Sequence, residues 1–76
     1  VWKPSEKTPL TALAVQAIVE KTIKRFGPEA PAGLSEILIG GREIGDILVS
    51  DHRVPVVSAT GSTKMGKEVG QKLASR

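Results

Sequence analysis

The stretch richest in chemistry is Ala59-Thr60-Gly61-Ser62-Thr63-Lys64-Met65-Gly66, a β-prone run that turns at glycine into a helix opening on hydroxyl residues. The first N–H groups of a helix have no intrahelical acceptor, and the helix dipole is positive there. This end can therefore hold a phosphate, with the Ser62 hydroxyl adding a contact. The plainer alternative is that Ser62 or Thr63 caps the helix and Gly61 only makes the turn. The spacing departs from the common dinucleotide fingerprint, because no glycine stands two before Gly61 and no acidic residue about 20 further on.

Other chemistries are excluded by what the sequence lacks. There is no cysteine, so disulfides, thiolate metal sites and a cysteine nucleophile are ruled out together. His52 is the only histidine and reads as an exposed turn residue; no metal site is expected. The net charge of +3 is scattered, and one Trp, one Phe and no Tyr offer almost no faces for base stacking, so nucleic acid is not an expected partner. No apolar run approaches the ~20 residues of a membrane helix and the first residues are not a signal peptide, so no membrane association and a cytoplasmic location are expected.

The elements that position these residues follow from the apolar pattern. Val1 to Lys3 is a strand stub closed by Pro4. Thr8-Pro9 starts a helix, with an oxygen-bearing N-cap and a proline where no N–H is needed. Leu10, Leu13, Ala14, Ala17 and Ile18 form its stripe, widened by Val15, Val19, Ile23 and Phe26, with Gln16, Glu20 and Lys24 on the opposite side. Gly27-Pro28 stops it. Ile37 to Ile39 suits a buried parallel strand ending at Gly40-Gly41. Arg42 to Val49 is a short helix on Ile44, Ile47 and Leu48, Asp51 to Arg53 is a turn, and Val56 to Ala59 is a third strand beyond Pro55. From Lys64 onward Met65, Val69 and Leu73 make the stripe of a last helix, and Gly66 and Gly70 let it approach a sheet closely. Strand-helix-strand-helix-strand-helix predicts an α/β fold, part of a Rossmann-like doubly wound parallel sheet, over residues 1–76 as a single piece. Seventy-six residues make one small, marginally stable domain. The start on Val1-Trp2 without an initiator Met and the end at Arg76 read as an excerpt of a longer protein.

Trp2-Lys3-Pro4-Ser5-Glu6-Lys7-Thr8-Pro9-Leu10, the pair Gly40-Gly41 and Thr60-Gly61-Ser62-Thr63 occur in an order and separation that resemble the aldehyde dehydrogenase superfamily along essentially the whole chain. Gly40-Gly41-Arg42-Glu43-Ile44-Gly45 looks most like its aminoadipic-semialdehyde (piperideine-6-carboxylate) dehydrogenase branch, which implies a place in lysine catabolism. The resemblance implies a piece of the coenzyme-binding domain of an NAD-dependent oxidoreductase that converts an aldehyde or semialdehyde to a carboxylic acid.

The same resemblance assigns Lys3 and Glu6 to the hydroxyls of the adenosine ribose. By themselves both read as solvated charges. A carboxylate accepts from both hydroxyls of a ribose diol but repels an added phosphate, so Glu6 argues for NAD over NADP. Gly41 is implied against the adenosine end, Ser62 on the pyrophosphate, Met65 near the adenine with core packing as its alternative, and Thr60 and Gly61 on the way to the nicotinamide. Arg42 reads as exposed, with a contact to the coenzyme as its alternative. Ala59 departs from the family's frequent aromatic residue before Thr-Gly-Ser. Together these residues imply one dinucleotide cradle. The family's thiolate, oxyanion-holding asparagine and glutamate base are missing, so no catalytic residue is expected here and the chain alone should be silent. The implied partners are NAD and, in the intact enzyme, an aldehyde, within a homo-oligomer. Two other readings are a stand-alone nucleotide- or anion-binding module, and a structural module that self-associates through open sheet edges.

Overall fold

A computed structural model describes residues 1–76. Three helices, α1 (Pro9–Phe26), α2 (Arg42–Ser50) and α3 (Thr63–Ala74), are its regular elements, and Val1–Gly41 and Arg42–Arg76 form two compact units. No helix is long and apolar enough to cross a membrane.

In the first unit, α1 opens with Pro9 in its first turn, as its sequence predicts. The Thr8 side chain makes no capping bond; its carbonyl accepts from the Ala12 N–H at 3.1 Å. The helix ends at Gly27, whose φ of 101° lies in the region that favours glycine, with Lys24 and Arg25 in the negative last turn.

The face that α1 turns inward is not the one its hydropathy predicts. Ala12 and Gln16 are buried and Val19 and Ile23 half-buried, one face at helical spacing, whereas Leu10 (80% exposed), Leu13, Val15 and Ile18 stand in water. Gln16, expected on the solvated side, is 4% exposed. It can be buried because its amide is hydrogen-bonded: Oε1 accepts from Trp2 Nε1 at 2.9 Å and Ser35 Oγ at 3.2 Å, and Nε2 donates to the Ser35 carbonyl at 2.9 Å.

Trp2 and Ile37 form an isolated parallel bridge, closed by Trp2 N–H to the Glu36 carbonyl at 2.9 Å and Leu38 N–H to the Trp2 carbonyl at 3.0 Å. No strand or sheet grows from it. Val56 to Ala59 makes no bridge, and Val56 is 83% exposed. The expected doubly wound parallel sheet is thus overturned: the chain holds three helices and one bridge. Parallel pairing needs partners that are distant in sequence, and runs of three or four residues gain too few ladder bonds to offset their ordering. Leu10, Leu13, Val15 and Ile18, the apolar stripe expected to pack on such a sheet, are exposed.

The second unit is a helix pair. Val49 is buried, and Ile44, Leu48, Met65, Val69 and Leu73 are half-buried, so the predicted stripe of α3 is realised. Ile47, assigned to the α2 stripe, is exposed. A Cβ at Gly66 or Gly70 would meet nothing within 4 Å, so these glycines serve no close approach. Arg42–Glu68 and Lys72–Asp46 ion pairs join α2 to α3, and the Arg76 guanidinium donates to the carbonyls of Asp51 and Val54, each at 2.5 Å.

The predicted turn at Asp51 is present. Asp51 Oδ1 accepts from the Arg53 N–H at 2.9 Å, and its carboxylate pairs with the guanidinium at 2.6 Å. The Arg53 side chain, and next its backbone N–H, hold the Asp51 carboxyl far below the ordinary 3.8. A depressed folded pKa makes this contribution to stability complete above the unfolded value and lost only as pH falls through the folded one. The Asp51 carboxyl carbon should therefore still report a carboxylate at about pH 3 in an NMR titration; a midpoint near 3.8 would contradict the pairing.

Candidate functional site

In the first unit, Pro4 ends the bridge segment and the chain turns tightly. Ser5 Oγ accepts from the Lys7 N–H at 3.2 Å and the Ser5 carbonyl from the Thr8 N–H at 3.1 Å. Glu6 rides on this turn with its side chain against Gly41, where an added Cβ would come within 2.7 Å of Glu6 Oε2. Gly41 does not have positive φ. Glycine there is thus a matter of space beside a carboxylate and not of backbone conformation. Two residues 35 positions apart, singled out for the same nucleoside, are in contact range.

Lys3 does not complete the group. Its Nζ donates to the neighbouring Pro4 carbonyl at 3.1 Å and makes no ion pair. The side chain is half-buried beside the turn; reaching a ribose requires exchange of that local bond for a ligand oxygen, a modest change for a flexible ammonium.

In the second unit, Ser62 is the N-cap of α3. Its φ and ψ of −70° and 159° are extended, and its Oγ accepts from the Met65 N–H at 3.1 Å. The capping alternative is realised, and the serine hydroxyl hydrogen remains a donor. The amides of Thr63 and Lys64 open the helix without intrahelical acceptors. Met65 folds back over Gly61, where a Cβ would collide with Met65 Cε. Gly61, also without positive φ, leaves room for the thioether beside the helix mouth. Gly61, Ser62 and Met65 form one local cluster, with Thr60 exposed just before it.

Ser62→Ala is expected to destabilise α3 by about 1 kcal/mol, read as faster amide exchange in its first turn, and full retention of protection would contradict the cap. Gly61→Ala should displace the Met65 methyl, whose flexible end can yield. A changed Met65 methyl NMR shift with α3 intact would report it, and an unchanged shift would contradict the close approach.

Arg42, read as exposed, is exposed and pairs with Glu68. His52 is exposed in its turn. Sequence reasoning missed Gln16. Two signals pointed to it: Ala12, Gln16, Val19 and Ile23 share a helix face as consistently as the more apolar set does, and a half-buried Trp2 indole N–H needs an acceptor.

The aldehyde dehydrogenase family model matches residues 1–76. An aldehyde dehydrogenase family 7 member A1 homolog of Caenorhabditis elegans is 42% identical over the whole chain and 14% of its own length. The α-aminoadipic semialdehyde dehydrogenase of Bos taurus is 33% identical over the whole chain and 14% of its length, in keeping with the branch that the Gly40–Gly45 stretch resembles. A lactaldehyde dehydrogenase of Methanocaldococcus jannaschii is 34% identical over 95% of the chain and 15% of its length. The chain thus spans about one seventh of the curated relatives it matches. No solved structure matches it. The glycine beside Glu6 and the serine-capped helix mouth are therefore features of a sequence that aligns from end to end with aldehyde-oxidising enzymes, and the chain belongs to the aldehyde dehydrogenase family.

Proposed function

We propose that the chain supplies nucleotide-binding contacts to an NAD-dependent enzyme that oxidises an aldehyde or semialdehyde to a carboxylic acid. The observation that carries this reading is the Glu6 carboxylate set against Gly41. A carboxylate has acceptor sites for both hydroxyls of a ribose, and a residue without a side chain leaves the nucleoside room to approach. The second unit by itself offers donors to an anion. The opening amides of α3 and the Ser62 hydroxyl suit a pyrophosphate, and Met65 beside Gly61 offers an apolar, adaptable surface to a base. Bound NAD supplies the hydride acceptor of the reaction.

This chain's own residues bind and orient. Glu6 opposes a 2′-phosphate by charge, and the helix mouth offers unpaired N–H donors and a partial positive charge to the phosphates. The chain has no cysteine, so attack on the aldehyde falls to residues outside it, and residues 1–76 alone are inactive in this account. Two of the relatives are named for different aldehydes, α-aminoadipic semialdehyde and lactaldehyde, and a semialdehyde is the preferred reading because of the Gly40–Gly45 stretch.

Trp2, the sole tryptophan, adjoins Lys3. NADH should quench its emission saturably and NADPH more weakly. Equal quenching by the two would remove Glu6 from the recognition of the ribose, and no quenching by either would overturn nucleotide binding by this chain.

A further inference from the structure

The only buried polar side chain of the first unit is Gln16, and it grips two segments at once. Through Oε1 it holds the Trp2 indole N–H, and through Nε2 the Ser35 carbonyl. Its orientation cannot be reversed, because an indole N–H only donates and a carbonyl only accepts. The Ser35 hydroxyl adds a third bond to Oε1.

What these two segments carry gives the arrangement its meaning. Trp2 precedes Lys3 and the turn bearing Glu6; Ser35 precedes the bridge residue Ile37 and the pair Gly40-Gly41. Between them run the two backbone bonds of the bridge. A leucine at position 16 could fill the same space and bury more apolar surface, but it would accept any sliding of one segment along the other. A glutamine satisfied on both sides accepts one register only, since every other register leaves a buried donor or acceptor unpaired.

We propose that Gln16 is a positioning residue that fixes the register of the Trp2–Glu6 segment against the Ser35–Gly41 segment, and so sets where the Glu6 carboxylate stands beside Gly41. The inference rests on the nucleotide-binding reading for its functional consequence, and on geometry alone for its structural one.

The test uses the labelled 76-residue chain and its Gln16→Leu, Gln16→Glu and Ser35→Ala variants. Two quantities are measured: the nuclear Overhauser effect between the Glu6 side chain and Gly41, and the affinity for NAD per folded molecule. Gln16→Leu should lose the Glu6–Gly41 effect and about tenfold in affinity while α1 amides stay protected. Gln16→Glu keeps the acceptor for Trp2 but not the donor to the Ser35 carbonyl. It should leave the indole N–H resonance in place and still lose the Glu6–Gly41 effect, which tests the idea if the leucine variant fails to fold. Ser35→Ala removes only the third bond and should lose about threefold in affinity or less.

A Glu6–Gly41 effect that survives both Gln16 changes overturns the proposal whether or not nucleotide binds. Absence of NAD binding by the unaltered chain overturns the nucleotide reading instead, and leaves the register to be judged by the Overhauser effect.

Discussion

Gly41→Ala is expected to lower the affinity for NAD by about tenfold or more while leaving the fold unchanged to within about 0.5 kcal/mol. The two halves of this expectation come from one distance. A Cβ at position 41 would stand 2.7 Å from Glu6 Oε2, too close to be tolerated, so the carboxylate must leave. Glu6 is exposed and the clashing atom is the end of a flexible side chain, so departure costs little in stability. Gly41 has no positive φ for the alanine to strain. The loss then falls on binding, because a hydrogen-bonding group displaced by even an ångström no longer meets both ribose hydroxyls. Calorimetric titration with NAD beside chemical denaturation separates the two. Unchanged affinity would contradict the role of the glycine, and a stability loss of about 2 kcal/mol would make it structural.

Glu6→Gln should weaken NAD binding and narrow the preference for NAD over NADP by about tenfold. Glutamine keeps one acceptor oxygen but replaces the other with a donor, so the diol is held less completely. It also removes the negative charge that opposes a 2′-phosphate. That charge is exposed and screened by salt, which is why the expected change is about tenfold and not the much larger factor of a buried pair. Titrations of both coenzymes at low and at physiological salt check this. A ratio that does not move on substitution would mean that another group selects the coenzyme.

The helices were legible because their boundaries are local physics. Pro9 at the start of α1, Gly27-Pro28 at its end and Ser62-Thr63 at the mouth of α3 act through their own φ angles and their own missing or added hydrogen bonds, and each is where the structure begins or stops a helix. The strands were not legible because pairing is non-local. Ile37 to Ile39 and Val56 to Ala59 have the composition of strands, yet only Ile37 finds a partner.

Periodicity told that α1 has an apolar side but not which side meets the rest of the unit. Gln16 shows why: three hydrogen bonds can bury a polar face while leucines remain in water. The contact between Glu6 and Gly41 lay beyond composition or spacing; the resemblance implied only that each stands near the adenosine end of a coenzyme. The Ser62 cap, by contrast, was readable from a serine before a helix, and the Met65 N–H donates to its Oγ.

The most direct measurement is a titration of the isotope-labelled chain with NAD, followed through its backbone amides. Saturable shifts are expected at Lys3 to Lys7, at Gly40-Gly41 and at Thr60 to Met65. Shifts confined to the charged surface of Arg42, Glu68 and Lys72, or none at all, would contradict the nucleotide-binding reading.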